Sequence, residues 1–426
     1  MDHFQRHQGK LHCEGVSLDE LASALGTPLY VYSSATITRH VRVLREGLGD
    51  LPHHICFAVK SNSNLAVLGL LHHLECGFDA VSGGELAKVR HIGAPMDQTI
   101  QSGVGKRDDE ILEALKAGVM YICVESPAEL ERVAEIAAAH HLRAPVALRV
   151  NPDVDPKTHP YISTGLKTNK FGVPFEQALD LYREALSKSS LEMVGVTCHI
   201  GSQITELSPF VDAAKRMREL AGGLLDLGAP LRYLGMGGGL GIPYQPLAPS
   251  ITPPPSPKEY GEALDKILGP LNLTLVLEPG RVLVGNAGVL LTRVVRTKRG
   301  SERAFAIVDA GMNDLLRPAL YQAHHDIETV LPPTAGREKV DVVGPVCESA
   351  DTFATQRELP ALEAGTLLAI RSAGAYGMAM ASSYNGRPLP AEVLCDGASH
   401  QLIRRRDDLC DLWRGEFPLQ NPPKPS

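Results

Sequence analysis

The chain has 426 residues, enough for two or three ordinary domains or for one large α/β barrel with a smaller partner. Its 44% hydrophobic and 21% charged residues are those of a soluble globular protein. A net charge of −7, with no Lys/Arg run resembling a basic binding footprint, argues against a nucleic-acid or anionic-membrane binder. No window approaches the ~18 consecutive apolar residues of a membrane span. The polar start Met1–Gln8 lacks the apolar core of a secretory signal. Eight scattered cysteines without a Cys-x-x-Cys pair read as reduced thiols in a cytoplasmic protein.

In chain order, Leu29–Tyr32 reads as a strand, and Ile37, Val41, Leu44 and Leu48 make one apolar helix face. From there to about 285, short apolar runs alternate with helical patterns. The runs are His54–Lys60, Phe78–Val81, Thr99–Gln101, Met120–Val124, Val146–Val150, Val194–His199, Leu231–Met236 and Leu273–Leu277, each suited to a buried parallel strand. Helical stretches fall at 64–74, 84–92, 107–117, 127–140, 175–188, 207–227 and 258–268, with Pro127 and Pro209 near helix starts. Eight strands, each followed by a helix except the last, predict a (β/α)8 TIM barrel over 34–285. Periodicity leaves an open doubly wound sheet as the alternative.

After about 286 the pattern becomes β-rich: Val289–Val295, Ala304–Val308, Val340–Val343, Leu367–Ile370 and Glu392–Leu394. Residues 1–33 are expected to join this C-terminal β-domain of 286–420, because chain ends often lie close together. The Pro-rich stretch 244–257 reads as an exposed loop and 421–426 as a disordered tail.

A barrel collects its reactive residues where strands end. Lys60 ends the first strand, His199 the sixth, Gly237-Gly238-Gly239 follows the seventh and Glu278 ends the eighth. Lys60 is either a lysine emerging into solvent or an amine in a partly desolvated mouth, its pKa lowered for Schiff-base chemistry. Glu278-Pro279-Gly280-Arg281 is either a surface turn with a local ion pair or a carboxylate for a pyridinium nitrogen beside a phosphate-holding arginine. The glycine run matches neither a dinucleotide fingerprint nor a P-loop; it is a plain turn or a cradle of N–H groups for phosphate. His199 is a core histidine or a flat ring facing an aromatic cofactor, with Ser202 as a phosphate donor. Adjacent His pairs and the absence of His-Glu-x-x-His speak against metal chemistry. Cys347, followed by Glu348-Ser349-Ala350-Asp351, is a small buried hydrophobe or a proton donor. Arg317–Tyr321 and Gly374–Gly377 read as loops with polar tips.

Several segments together resemble the diaminopimelate decarboxylase family of pyridoxal-phosphate enzymes, which share the alanine-racemase-like fold type. They are Phe57–Asn62, Phe78–Glu85, His159–Gly165 with Lys170-Phe171-Gly172, His199–Gln203, the glycine run, Glu278–Arg281, Cys347–Asp351 and Gly374–Gly377. The match runs from about Leu29 to about Asp396. Phe57 and Ser61 stand where the family more often has Tyr and Ala.

The resemblance implies that Lys60 carries pyridoxal 5'-phosphate, that Glu278 keeps the pyridine nitrogen protonated, that His199 stacks on the ring and that Asp79 lies close to it. It implies a phosphate held by Ser202, Gly238, Gly239, the Gly280-Arg281 backbone and the Tyr376 hydroxyl. Arg281, Arg317, Tyr321 and Tyr376 would bind substrate. Cys347 as proton donor and Glu348 at the distal amino-acid centre would come from the second subunit of a homodimer. The implied reaction converts meso-2,6-diaminopimelate, at its D-centre, to L-lysine and CO2. Ornithine or arginine decarboxylation would leave Arg317 no carboxylate to hold. An alanine racemase would need no distal site. A catalytically dead regulator would have lost Lys60 or Cys347.

Overall fold

The computed structural model describes residues 2–156, 170–245, 253–332 and 336–420. The first barrel strand, His53–Ala58, is followed by Gly77–Ala80, Thr99–Gln101, Tyr121–Val124, Ala144–Asn151, Leu191–Thr197, Tyr233–Gly237 and Thr274–Leu277. Among the described residues these eight run parallel, and the last pairs with the first, Leu275 opposite His53, which closes the ring. The open-sheet alternative is thereby excluded.

Outward side chains such as Phe57, Phe78, Leu148 and Met236 pack under the helices in one continuous core. Inward ones, with Cys56, Tyr121 and Ala147 at the bottom, fill the barrel. Helix starts are set locally. Ser126 accepts the Glu129 N–H at 3.2 Å with Pro127 at the first helical position, where a missing N–H costs least.

The last strand leads only into the four-residue helix Arg281–Val284. The eighth place in the outer ring is taken by Ser34–Leu48, which precedes the first strand and packs against Pro257–Leu268. Glycines permit the crossing: a Cβ on Gly261 would stand 1.9 Å from the Gly47 carbonyl oxygen.

In the β-rich sheet, Gly288–Arg299 pairs antiparallel with Leu29–Ser33, Leu367–Ile370 and Ala304–Val308. Leu29–Ser33 lies between Gly288–Arg299 and Ala391–Asp396, so an N-terminal strand is built into the C-terminal sheet. Arg337–Val343 and Thr352–Pro360 extend one edge and Ser399–Arg404 the other. The short strands Phe4–His7, Lys10–Cys13 and Val16–Ser17 and the helix Leu18–Leu25 cover one face, where Phe4, Leu11 and Leu21 meet Val289, Leu291 and Val393. Two of the differences from expectation bear on the site. The first strand stops at Ala58, so Lys60 lies in the tight turn Val59–Ser61. Arg317–Tyr321 is a short helix, with Pro318 near its start. The His159–Gly165 motif, residues 246–252 of the Pro-rich stretch and the 421–426 tail lie outside the described residues.

Candidate active site

The rim of the barrel encloses a cavity of ≈ 480 Å³, within the size of small-molecule sites. Lys60, His199, Ser202, Gly239, Glu278, Gly280, Arg281, Arg317, Tyr321 and Tyr376 all line it. The register of the first two strands sets Asp79 opposite Ala58, and the Lys60 Nζ stands 3.7 Å from its Oδ2. Asp79 is wholly buried, and its other oxygen accepts the Ser102 hydroxyl. The lysine amine departs from expectation. Burial alone would lower its pKa, but the Asp79 carboxylate beside it contributes most to raising it instead.

At the end of the adjacent strand, burial first and Asp79 second push the Glu278 carboxyl up to about 8, against the pull of Lys60 and Arg149. A carboxyl held near neutrality can share a proton with a basic ring nitrogen. His199 sits two residues beyond its strand. Its Nδ1 lies 3.1 Å from the Gly238 amide, so that nitrogen accepts and the hydrogen is assigned to Nε2. Burial, with Arg149 and Lys60, drives the ring's pKa well down and keeps it neutral.

The Gly238 N–H thus serves His199, and Gly238 does not line the cavity, whereas Gly239 does. The glycines are required by packing. A Cβ on Gly238 would lie 2.2 Å from the Glu278 carbonyl oxygen, and one on Gly239 (φ +109°) 2.4 Å from that of Gly201.

The opposite wall is cationic. Arg281, 5% exposed, donates to Ser202 Oγ at 3.0 Å and to the Tyr244 hydroxyl. Its guanidinium carbon lies 4.9 Å from the centre of the Tyr376 ring. Arg317, 4% exposed, lies 4.5 Å from the centre of the Tyr244 ring and contacts His325. Neither arginine has a carboxylate within ion-pair distance among the described residues. Tyr376 comes from the β-domain in a left-handed conformation (φ +56°). Its N–H donates to the Ser61 carbonyl at 2.8 Å, and Asn62 Nδ2 donates to the Gly374 carbonyl at 3.1 Å. Such strain in a non-glycine residue persists only where the surroundings impose it.

Phe171 of the Lys170-Phe171-Gly172 motif lines the wall too, and residues not singled out beforehand complete it: Ser102, Gly103–Gly105 and Arg149. Arg149 pairs with the buried Glu125 at 2.9 Å. Both stand where barrel strands end, so applying the rim argument to strands two to five would have found Asp79, Ser102, Glu125 and Arg149.

Cys347 and Glu348 are exposed and do not line this cavity. Asp351 fixes their loop, its two carboxylate oxygens accepting the Met312 and Val346 N–H groups at 2.6 and 2.7 Å. Metal-binding clusters and helices long and apolar enough to cross a membrane are both absent among the described residues.

A parallel barrel presenting a lysine, a proton-holding carboxyl, a neutral histidine and an anion-seeking wall defines the pyridoxal-phosphate class of amino-acid enzymes. The sequence profile of the family described as "Pyridoxal-dependent decarboxylase, pyridoxal binding domain" matches residues 34–285. The diaminopimelate decarboxylase of Pseudomonas aeruginosa is 49% identical over 98% of this chain and 99% of its own. That of Vibrio cholerae is 48% identical over 98% and 100%. Among solved structures, the Helicobacter pylori diaminopimelate decarboxylase complexed with L-lysine superposes with a TM-score of 0.89, at 42% identity over 93% of this chain and 98% of its own. The M. jannaschii enzyme, also in complex with L-lysine, gives 0.92 at 36% identity over 98% of both chains. The chain belongs to the diaminopimelate decarboxylase family of pyridoxal-dependent decarboxylases.

Proposed function

We propose that this protein decarboxylates meso-2,6-diaminopimelate at its D-centre to give L-lysine and CO2, the last step of lysine synthesis from diaminopimelate. The observation that carries the reading is a pair of buried guanidiniums, Arg281 and Arg317, with no carboxylate within ion-pair distance among the described residues. They face a cavity that also holds Lys60 and Glu278. Burying unpaired cations is costly, so the site is built for an anionic occupant.

The residues fit pyridoxal phosphate. Lys60 is the amine for its aldehyde, and Ser202 with the Gly239 and Gly280-Arg281 backbone is placed for its phosphate. Glu278 is placed for its ring nitrogen. When bound, the cofactor supplies the sink for the electron pair left by departing CO2. Glu278 holds a proton at the ring nitrogen, where negative charge would otherwise accumulate. His199, neutral and locked by Gly238, offers a flat face to the ring. Arg317 and Tyr321 orient the substrate's distal carboxylate. Lys60 would hold the cofactor through its amine and would be the group that gives way to the substrate's amine.

In this reading 34–285 is the cofactor-binding domain, with 1–33 and 286–420 forming the second. The chain acts in the cytoplasm as a homodimer. Each subunit lends Cys347, to protonate the α-carbon, and Glu348, to hold the distal amino-acid centre, to the other's cavity.

The test is turnover by purified protein with pyridoxal phosphate, offered meso-diaminopimelate, L-ornithine and L-arginine separately. Lysine and CO2 from the first alone are expected. Turnover of ornithine or arginine only would keep the chemistry and overturn the role given to Arg317.

A further inference from the structure

Arg317 reaches the cavity from a helix of five residues, too short an element to hold a long side chain unaided. Behind it stands His325, 0% exposed. The His325 Nε2 lies 2.8 Å from Arg317 Nη1, and its Nδ1 lies 2.8 Å from the Arg371 carbonyl oxygen. A guanidinium only donates and a carbonyl only accepts. Nε2 must therefore be the acceptor and Nδ1 must carry the hydrogen, so both contacts specify one neutral tautomer.

The surroundings agree. Arg317, Arg281 and His324 face the ring, and Tyr244 meets it edge-on at 5.1 Å; none of them favours a second proton. Tyr244 also separates the two guanidiniums, its ring centre 4.5 Å from Arg317 Cζ and 5.6 Å from Arg281 Cζ. Two like charges so close would part if either were unrestrained. Arg371 is held in its turn by Asp2 at 3.2 Å and Glu328 at 3.6 Å.

We propose that His325 is a positioning residue: its Nε2 ties back one nitrogen of Arg317 so that the rest of the guanidinium fork meets the substrate's distal carboxylate. This rests on the role given to Arg317 above. His325 touches neither substrate nor cofactor, and its effect passes wholly through the arginine.

The test is steady-state kinetics on cofactor-loaded His325→Gln, His325→Asn, His325→Leu and Arg317→Met enzymes. The Gln Oε1 reaches the place of Nε2 and can accept from Arg317. The shorter Asn amide reaches only the place of Nδ1, and Leu replaces neither. Losing a hydrogen bond to a charged group predicts a rise in KM of about tenfold for the Asn and Leu variants. Their kcat changes little and their cofactor absorbance is unchanged, while the Gln variant stays within about threefold of wild type. Equal damage in all three His325 variants, or a fall in kcat at constant KM, overturns the proposal. If the Leu variant does not fold, the Gln-to-Asn contrast decides. A normal KM in Arg317→Met shows that the role of Arg317 is itself wrong. A raised KM there, with His325→Asn normal, overturns the positioning role alone.

Discussion

The Lys60 ammonium stands 3.7 Å from an Asp79 carboxylate that solvent does not reach. This contact favours the protonated amine, whereas attack on an aldehyde needs it neutral. Asp79→Asn removes the largest upward pull on the amine. The midpoint for cofactor loading, followed by absorbance across a pH series, should therefore move to lower pH. A midpoint at or above that of wild type would contradict this account of Lys60.

The shared-site reading is tested by mixing two dead enzymes. Lys60→Ala should lose the bound-cofactor absorbance and all turnover; Cys347→Ala should keep the absorbance and lose turnover. Subunit exchange in a two-fold dimer gives half mixed dimers, each with one intact site. An equal mixture should thus regain about a quarter of wild-type activity. A mixture that remains inactive after demonstrated exchange would place Cys347 outside the partner's site.

Gly238→Ala tests the packing of the rim. Its Cβ would enter the Glu278 carbonyl at 2.2 Å, and overpacking of this kind costs about 1–3 kcal/mol. The Gly238 amide would also shift away from His199. Lower thermal stability together with weaker cofactor binding in titration is the expected pair of effects. Normal cofactor affinity would mean that the loop yields without disturbing the site.

A pH effect on stability follows from His325. Burial first and the Arg317 cation second push its imidazole down to about 3, against about 6.5 in an unfolded chain. Between those values the unfolded chain binds a proton that the folded one refuses. The stability present above about pH 6.5 is therefore lost as pH falls, by at most ~1.4 kcal/mol per unit. Denaturant unfolding at several pH values should show a shallower acid limb for His325→Gln than for wild type. Identical limbs would mean that the ring accepts its proton in the folded state.

Much of the barrel was legible because its strands are short apolar runs between well-capped helices, and such a pattern survives without tertiary information. The pieces that were misplaced or missed lack that signal. Phe4–His7 and Ser399–Arg404 are short and largely exposed, so neither alternation nor apolarity marks them. At the site, Lys60, Glu278 and Arg281 announce themselves as charges at the ends of apolar strands. His325 and Tyr244 do not, because their meaning lies in contacts to arginines far away in sequence. The direction of the Lys60 pKa is hidden for a related reason, because the carboxylate that sets it comes from the neighbouring strand's register.

The bond from the Tyr376 amide to the Ser61 carbonyl has a consequence for biosynthesis. A nascent chain that has emerged only as far as Val284 contains every barrel strand, together with Lys60 and Glu278. It still lacks Arg317, Tyr321 and Tyr376, which line the remaining wall. Cofactor capture in its final geometry must therefore wait until more than three hundred residues have left the ribosome. Translation arrested between the two points would leave a closed barrel with an open-sided pocket.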